Sequence, residues 1–293
     1  MSGLKGFWGL VTATAKKWRE DNISWLAAAL AYYTLFSLAP TFIVVVYLGG
    51  KIFGEEAVKG QIVVQLQELV GYNTAVTVQK MIESGQSLLS GTVPNLFTIG
   101  IMLYAATNVF THLIDTLNMI WKAPPGNRHW VAEMILGRII SFALVLSIGI
   151  LLLGLVLLNI VLSVFGRLLA EFVPAFTHVY IWHIANFIVS FILISLLFAV
   201  IYKILPEVPV AWRDVFPGAI LASFLFTMGK SLIALYLGKS RMLSLFGAAS
   251  SFVVLLIWVY YSVQILFLGA AFSYCYARQY GSRPGGAGTA AGG

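Results

Sequence analysis

Residues 248–274 read AASSFVVLLIWVYYSVQILFLGAAFSY, twenty-seven positions without a charged side chain. A run of about 20 apolar residues crosses the hydrocarbon core of a bilayer as a single helix, at about 1.5 Å of rise per residue. Five further stretches qualify, at 26–50, 92–112, 139–165, 179–202 and 215–237, of which the second and fifth are shorter and more polar. The chain as a whole agrees: 60% of its 293 residues are hydrophobic, 14% aromatic and only 10% charged, with a mean hydropathy of +0.91. Such a composition excludes a water-soluble globule. The expected fold is therefore all-α: a polytopic membrane protein of six transmembrane helices, with both termini on one side.

Orientation follows from the basic residues of the connections. With the N-terminus cytoplasmic, eleven Lys and Arg fall on the inner side and six on the outer, and Lys230 is the eighteenth. The bias places both termini in the cytoplasm. A net charge of +7 can signal nucleic acid, but here the basic residues are scattered over separate juxtamembrane segments rather than gathered in one stripe. Attraction to anionic headgroups accounts for them, so the expected partners are membrane lipids and not nucleic acid.

Residues 1–22 lack the continuous apolar core of a cleavable signal peptide. On a helix Leu4, Trp8, Val11, Ala15 and Trp18 share one face, away from Lys5, Lys16, Lys17 and Arg19, the pattern of an amphipathic helix lying in the interface. Asp21 or Asn22 can cap the first span, which contains Pro40 and the small residues Ala27, Ala28, Ala29 and Ala31. Residues 51–91 form the longest connection. Val58, Ile62, Leu66 and Leu69 recur there at helical spacing until Gly71, after which Asn73 can cap a second helix, so a helical hairpin on the outer surface is expected. The six-helix domain spans 23–277, and residues 278–293, ending in GSRPGGAGTAAGG, read as a disordered tail.

Lys230 lies in the fifth segment, within FLFTMGKSLIALYLGK at 224–239. A lysine at the centre of a spanning helix costs about 3 kcal/mol, so something must compensate it. Ala219, Ser223, Thr227 and Ala234 share its helical face, while Leu221, Leu225, Met228, Leu232 and Leu235 lie opposite. The lysine therefore turns inward. No carboxylate lies within the six apolar segments to pair with it. It either snorkels toward the outer boundary, about 10 Å away, or meets an anionic substrate group such as a phosphate. The candidate substrate-binding residues are Lys230, Ser223 and Thr227, with Trp258, Tyr261 and Gln264 from the last span and Tyr260 beside them.

A second polar feature occupies the second span, where Tyr104, Asn108, His112 and Asp115 fall within about 80° of one another on a helix. Either this is a hydrogen-bonded helix end, or Asn108, His112 and Asp115 relay an ion or a proton, since histidine titrates near neutrality. Covalent chemistry has little support. A single cysteine, Cys275, excludes internal disulfides and CxxC sites, and His112, His129, His178 and His183 lack metal-ligand spacing. No catalytic residue, metal site or cofactor is expected.

The last span, LAAALAYYTLFSLAP at 26–40 and KILPEVPVAWRDVFPGA at 203–219 together resemble the YihY/BrkB family of bacterial inner-membrane proteins. The resemblance covers residues 5–278 and is carried most specifically by Ala31, Tyr32, Ser37, Pro40, Pro206, Trp212, Pro217, Gly218, Gly247, Trp258, Tyr260 and Gly269. It implies six helices, cytoplasmic termini and a multi-pass location in the inner membrane. It implies no settled activity: members are linked to virulence, envelope lipid export and ion tolerance, and some carry the label ribonuclease BN, which the scattered histidines do not support. Where relatives usually read LGAE, this chain reads Leu268, Gly269, Ala270 and Ala271, so the glutamate of that motif is missing. Gln264 on the same face can hydrogen-bond but cannot titrate. Three classes remain: a transporter or flippase for an anionic amphiphile or envelope lipid, an ion-coupled or ion-conducting carrier, and a membrane scaffold. The first is the expectation.

Overall fold

The computed structural model describes residues 2–87, 96–124, 175–239 and 250–282. Among them the regular structure is entirely helical: α1 (Ser2–Glu20), α2 (Ile23–Phe53), α3 (Glu55–Val70), α4 (Tyr72–Ser87), α5 (Leu96–Trp121), α6 (Ala175–Ile204), α7 (Trp212–Lys239) and α8 (Ser250–Gln279). Five expected spans coincide with α2, α5, α6, α7 and α8. The span expected at 139–165 and the tail beyond 282 lie outside the described residues.

Among the described residues three stretches, Ile23–Tyr47, Phe187–Ile204 and Ser250–Gln279, are long and apolar enough to cross a membrane. α5 and α7 run for 26 and 28 residues and carry the polar Asn108, His112 and Asp115, and Arg213, Asp214 and Lys230, respectively.

Asn22 separates α1 from α2 in the left-handed region, at φ 50° and ψ 41°, and its side chain makes no cap bond. Asparagine tolerates that conformation. The capping expected of Asp21 is also not seen: its carboxylate is bound to Lys17 Nζ at 2.6 Å.

α3 and α4 form the expected hairpin, joined at Gly71, whose φ of 83° favours glycine. The hairpin does not simply lie on its surroundings. It packs against α2 and touches α7 and α8, burying Val70, Ala75, Val78 and Ile82. Lys59 bridges Glu55 at 3.1 Å and Glu56 at 3.3 Å. Burial disfavours its charge, but the bonds to Glu55 and Glu56 outweigh that and hold its pKa above the ordinary lysine value.

α8 is the hub, in contact with α1, α2, α4, α5 and α7, and its run from Gly269 to Cys275 is buried throughout. Its partnership with α7 is unusually close. A Cβ on Gly218 would collide with Gly269 O and Ser273 Oγ, and one on Gly269 would lie 2.8 Å from Gly218 O and 2.9 Å from Ala222 Cβ. Ser273 Oγ donates to Val215 O at 3.3 Å, and Tyr261 Oη donates to Leu225 O at 3.1 Å. These pairings fix α7 and α8 antiparallel. α6 joins them through Tyr202 Oη, which donates to Leu266 O at 2.8 Å. Where lipid tails are as apolar as leucine, helices associate by close packing and cross-helix hydrogen bonds, and small residues permit both.

Gly269→Ala therefore overpacks the seam and should destabilise the protein by about 1–3 kcal/mol. Gly60→Ala, in α3 with open space beside it, should be neutral or stabilising by up to about 1 kcal/mol. Thermal unfolding of the purified protein by circular dichroism checks both, and an unshifted midpoint for Gly269→Ala would contradict the packing described.

Candidate functional site

The α7 seam determines where Lys230 points. Ala219 and Ser223, on its helical face, are fully buried, while Ile220, Phe224, Met228 and Leu232 on the other side are 47–59% exposed. Lys230 itself is half-buried and engaged by its surroundings. The two hydroxyls beside it are turned into their own helix: Ser223 Oγ donates to Ala219 O and Thr227 Oγ1 to Ser223 O, each at 2.8 Å. Ser223 is at 0% exposure and supports the helix rather than lining a surface. Such back-bonds satisfy a polar group where no water reaches it.

The wall facing this part of α7 is aromatic. Phe198 of α6 packs on Phe226 with centroids 6.1 Å apart, Phe226 on Trp258 at 5.5 Å, and Trp258 on Tyr261 at 6.4 Å. The Tyr261 ring fills the space that a Cβ on Gly229 would need, directly before Lys230. Gln264 is half-buried one turn further along α8 and Tyr260 sits at the exposed margin. Trp258 and Tyr261 thus come together, with Lys230 the next residue after the Gly229 that Tyr261 covers. Phe198, Phe226 and Gly229 were not legible as members, because only the helix register brings them there.

The α5 stripe is spread out. Tyr104 is 57% exposed, Asp115 is exposed and Asn108 and His112 are half-buried. The His112 ring stacks on Tyr33 of α2, with centroids 3.9 Å apart and planes 9° from parallel. Nothing in the spacing of the sequence announces that pairing.

A third cluster gathers where α1 meets the end of α8. α1 turns Leu10, Thr14 and Lys17 into the protein, with Trp18 half-buried against the core and Trp8 of the expected apolar face turned out. Trp8 is 63% exposed, as is Trp25 at 80%. Lys17 lies away from the tryptophan face, as expected, but toward protein rather than water. Its ammonium pairs with Asp21 at 2.6 Å with the two side chains 7% and 16% exposed, and sits 4.0 Å from the Tyr274 ring centroid. Arg278 donates to Tyr274 Oη at 3.2 Å, and Trp121 meets the ring edge-on at 5.9 Å. Lys17 and Asp21 stand four residues apart, the helical ion-pair spacing, which was the available signal. No group of three potential metal ligands is found among the described residues.

Long apolar helices, hydroxyls folded back on their own carbonyls and a half-buried lysine within an apolar helix define an all-helical membrane protein. The chain belongs to the virulence factor BrkB family, whose sequence profile matches residues 14–292. It is similar to a UPF0761 membrane protein of Alteromonas mediterranea, 30% identical over 264 residues that cover 88% of this chain and 84% of the relative. One from Psychromonas ingrahamii is 29% identical, covering 86% and 83%. One from Verminephrobacter eiseniae is 26% identical, covering 87% and 59%, so the chain spans about three-fifths of that relative's length. No solved structure matches the chain.

The buried and the exposed lysine pairs of α1 should separate in energy. Lys17→Met leaves Asp21 buried without its cation and should cost about 3 kcal/mol. Lys16→Met removes an exposed pair with Glu20, 3.7 Å apart, worth less than about 1 kcal/mol. Denaturation midpoints of the two variants check this, and equal shifts would contradict the buried pair.

Proposed function

We propose that this chain crosses the bacterial inner membrane six times, with both termini in the cytoplasm, and moves an anionic amphiphile or envelope lipid across it without covalent chemistry. The observation that carries the reading is the orientation of Lys230: it shares a face with the fully buried Ala219 and Ser223 while Met228 and Leu232 face outward. Lipid does not solvate an ammonium, and an inward one directly after the Gly229 that Tyr261 covers offers a phosphate or carboxylate a partner, with Trp258 and Tyr261 an apolar wall for its tails. The cation makes the site selective for anions. Topology is consistent with this. Asn118 near the end of α5 binds the Glu207 N–H between α6 and α7 at 2.8 Å, so α5 and α6 finish at the same end of the bundle. Two consecutive helices that run the same way are what a span between them would give. The exposed Trp8 and Trp25, with the basic Lys16 and Arg19, suit α1 to an inner-leaflet interface.

Transbilayer movement of a fluorescent anionic phospholipid in liposomes holding the purified protein tests the proposal. Wild type should move it and Lys230→Ala should lose at least about tenfold of the rate, the worth of one charge-assisted hydrogen bond. Undiminished movement by Lys230→Ala would remove the lysine from the mechanism, and no movement by folded wild type would favour a scaffold.

The His112–Tyr33 stack favours a second reading, an ion-coupled carrier, because it holds a half-buried imidazole in line with Asn108 and Asp115 on α5. Asn108 and Asp115 would then complete a relay. Asp115→Asn should abolish pH-dependent flux, and an unchanged pH profile would sink this version.

A further inference from the structure

Asp214 is 1% exposed, in the first turn of α7. A carboxylate so placed must be held by donors, since leaving one buried without them is costly. The donors come from the other end of the fold. Ser282 N–H donates to Asp214 Oδ1 at 3.3 Å and Oδ2 at 3.4 Å, and Ser282 Oγ donates to Oδ2. Gly281 makes this approach feasible: a Cβ there would collide with Asp214 Oδ1 and lie 2.7 Å from Ala277 Cα. The chain leaves α8 by a tight turn, Tyr280 N and Gly281 N both donating to Tyr276 O at 2.8 and 3.1 Å. Tyr280 Oη in turn occupies the space beside Gly6 of α1. Three residues past the last helix thus tie together α1, α7 and α8.

In the first turn of α7, Val215 is buried and its carbonyl accepts from Ser273 Oγ of α8, but the turn is joined to the rest of its own helix by one bond fewer than a continuous ladder. Pro217 has no N–H for the carbonyl of Arg213, so the helical ladder is interrupted immediately after this turn. Gly218, the next residue, is pressed against Gly269 with no room to slide. A broken ladder beside a fixed contact is the arrangement of a hinge.

We propose that Tyr280–Ser282 is a latch that holds the first turn of α7 down on α8, and that its release lets this turn swing about Pro217 and Gly218. The proposal goes beyond the transport reading and holds whatever solute is carried, because its test follows the helix end and not the cargo.

Val215, fully buried in the turn, serves as reporter. In a Cys275→Ala background, Val215→Cys in lipid nanodiscs is reacted with a water-soluble maleimide. Ser282→Pro, which removes both donors, and Gly281→Ala, which lifts the segment, should each accelerate labelling by about tenfold or more. Ser282→Ala should fall between, and Ser282→Thr, which keeps both donors, should label like the parent. Val46→Cys, buried under the α3–α4 hairpin, should stay slow in every variant. Parental labelling in Gly281→Ala and Ser282→Ala would overturn the latch, as would equal acceleration at Val46→Cys, which reports general loosening.

Discussion

The close approach of α7 and α8 at Gly218 and Gly269 is the constraint on which the rest of the structure depends. Two helix backbones come together there, flanked by Ser273 Oγ, Tyr202 Oη and Ala222 Cβ, and in a lipid solvent such contact replaces the hydrophobic drive that joins helices in water. Once it is set, the register follows. Ser273 reaches the Val215 carbonyl, Tyr202 of α6 reaches Leu266, and Tyr261 reaches Leu225 beside Gly229. A rotation of α7 by half a turn would break the Ser273–Val215 and Tyr261–Leu225 bonds and would turn Lys230 to the side where Met228 and Leu232 are exposed.

Cations are handled differently along the molecule, according to the solvent each one meets. At the α1 end, Lys17 is fully enclosed yet neutralised by Asp21 and covered by the Tyr274 ring. Lys203 donates to the Val210 carbonyl and so closes the connection between α6 and α7. Lys230 lies within an apolar segment, half-buried, directly after the Gly229 that the Tyr261 ring covers. A protein that only needed to anchor a helix would have little reason to point an ammonium inward at that depth, which is why the lysine dominates the functional reading.

Much of the fold was legible because lipid imposes a simple rule, that long charge-free stretches become helices. The α8 run and the hairpin around Gly71 followed from length, periodicity and a glycine. The buried face formed by Ala219 and Ser223, which lies on the Lys230 side of α7, followed from their small and hydroxylated side chains. What could not be read was which helices meet. Gly218 and Gly269 lie 51 positions apart in the sequence, and a glycine carries no periodic signal to announce its partner. The packing face of α1 was not visible either, because Lys17 becomes buriable only when Tyr274, more than 250 positions away, covers it. The hydroxyls of Ser223 and Thr227 looked available for a substrate until the helix carbonyls that engage them were seen.

The central claim is that Lys230 faces a space inside the protein that water and an anionic amphiphile both reach. Lys230→Cys, in a Cys275→Ala background in proteoliposomes, tests it most directly by its reactivity with a water-soluble methanethiosulfonate. The account predicts modification that slows when an anionic lipid-like amphiphile is added and is unaffected by a zwitterionic one. Reaction only with a reagent dissolved in the lipid phase would show that position 230 faces the bilayer, and would contradict the account.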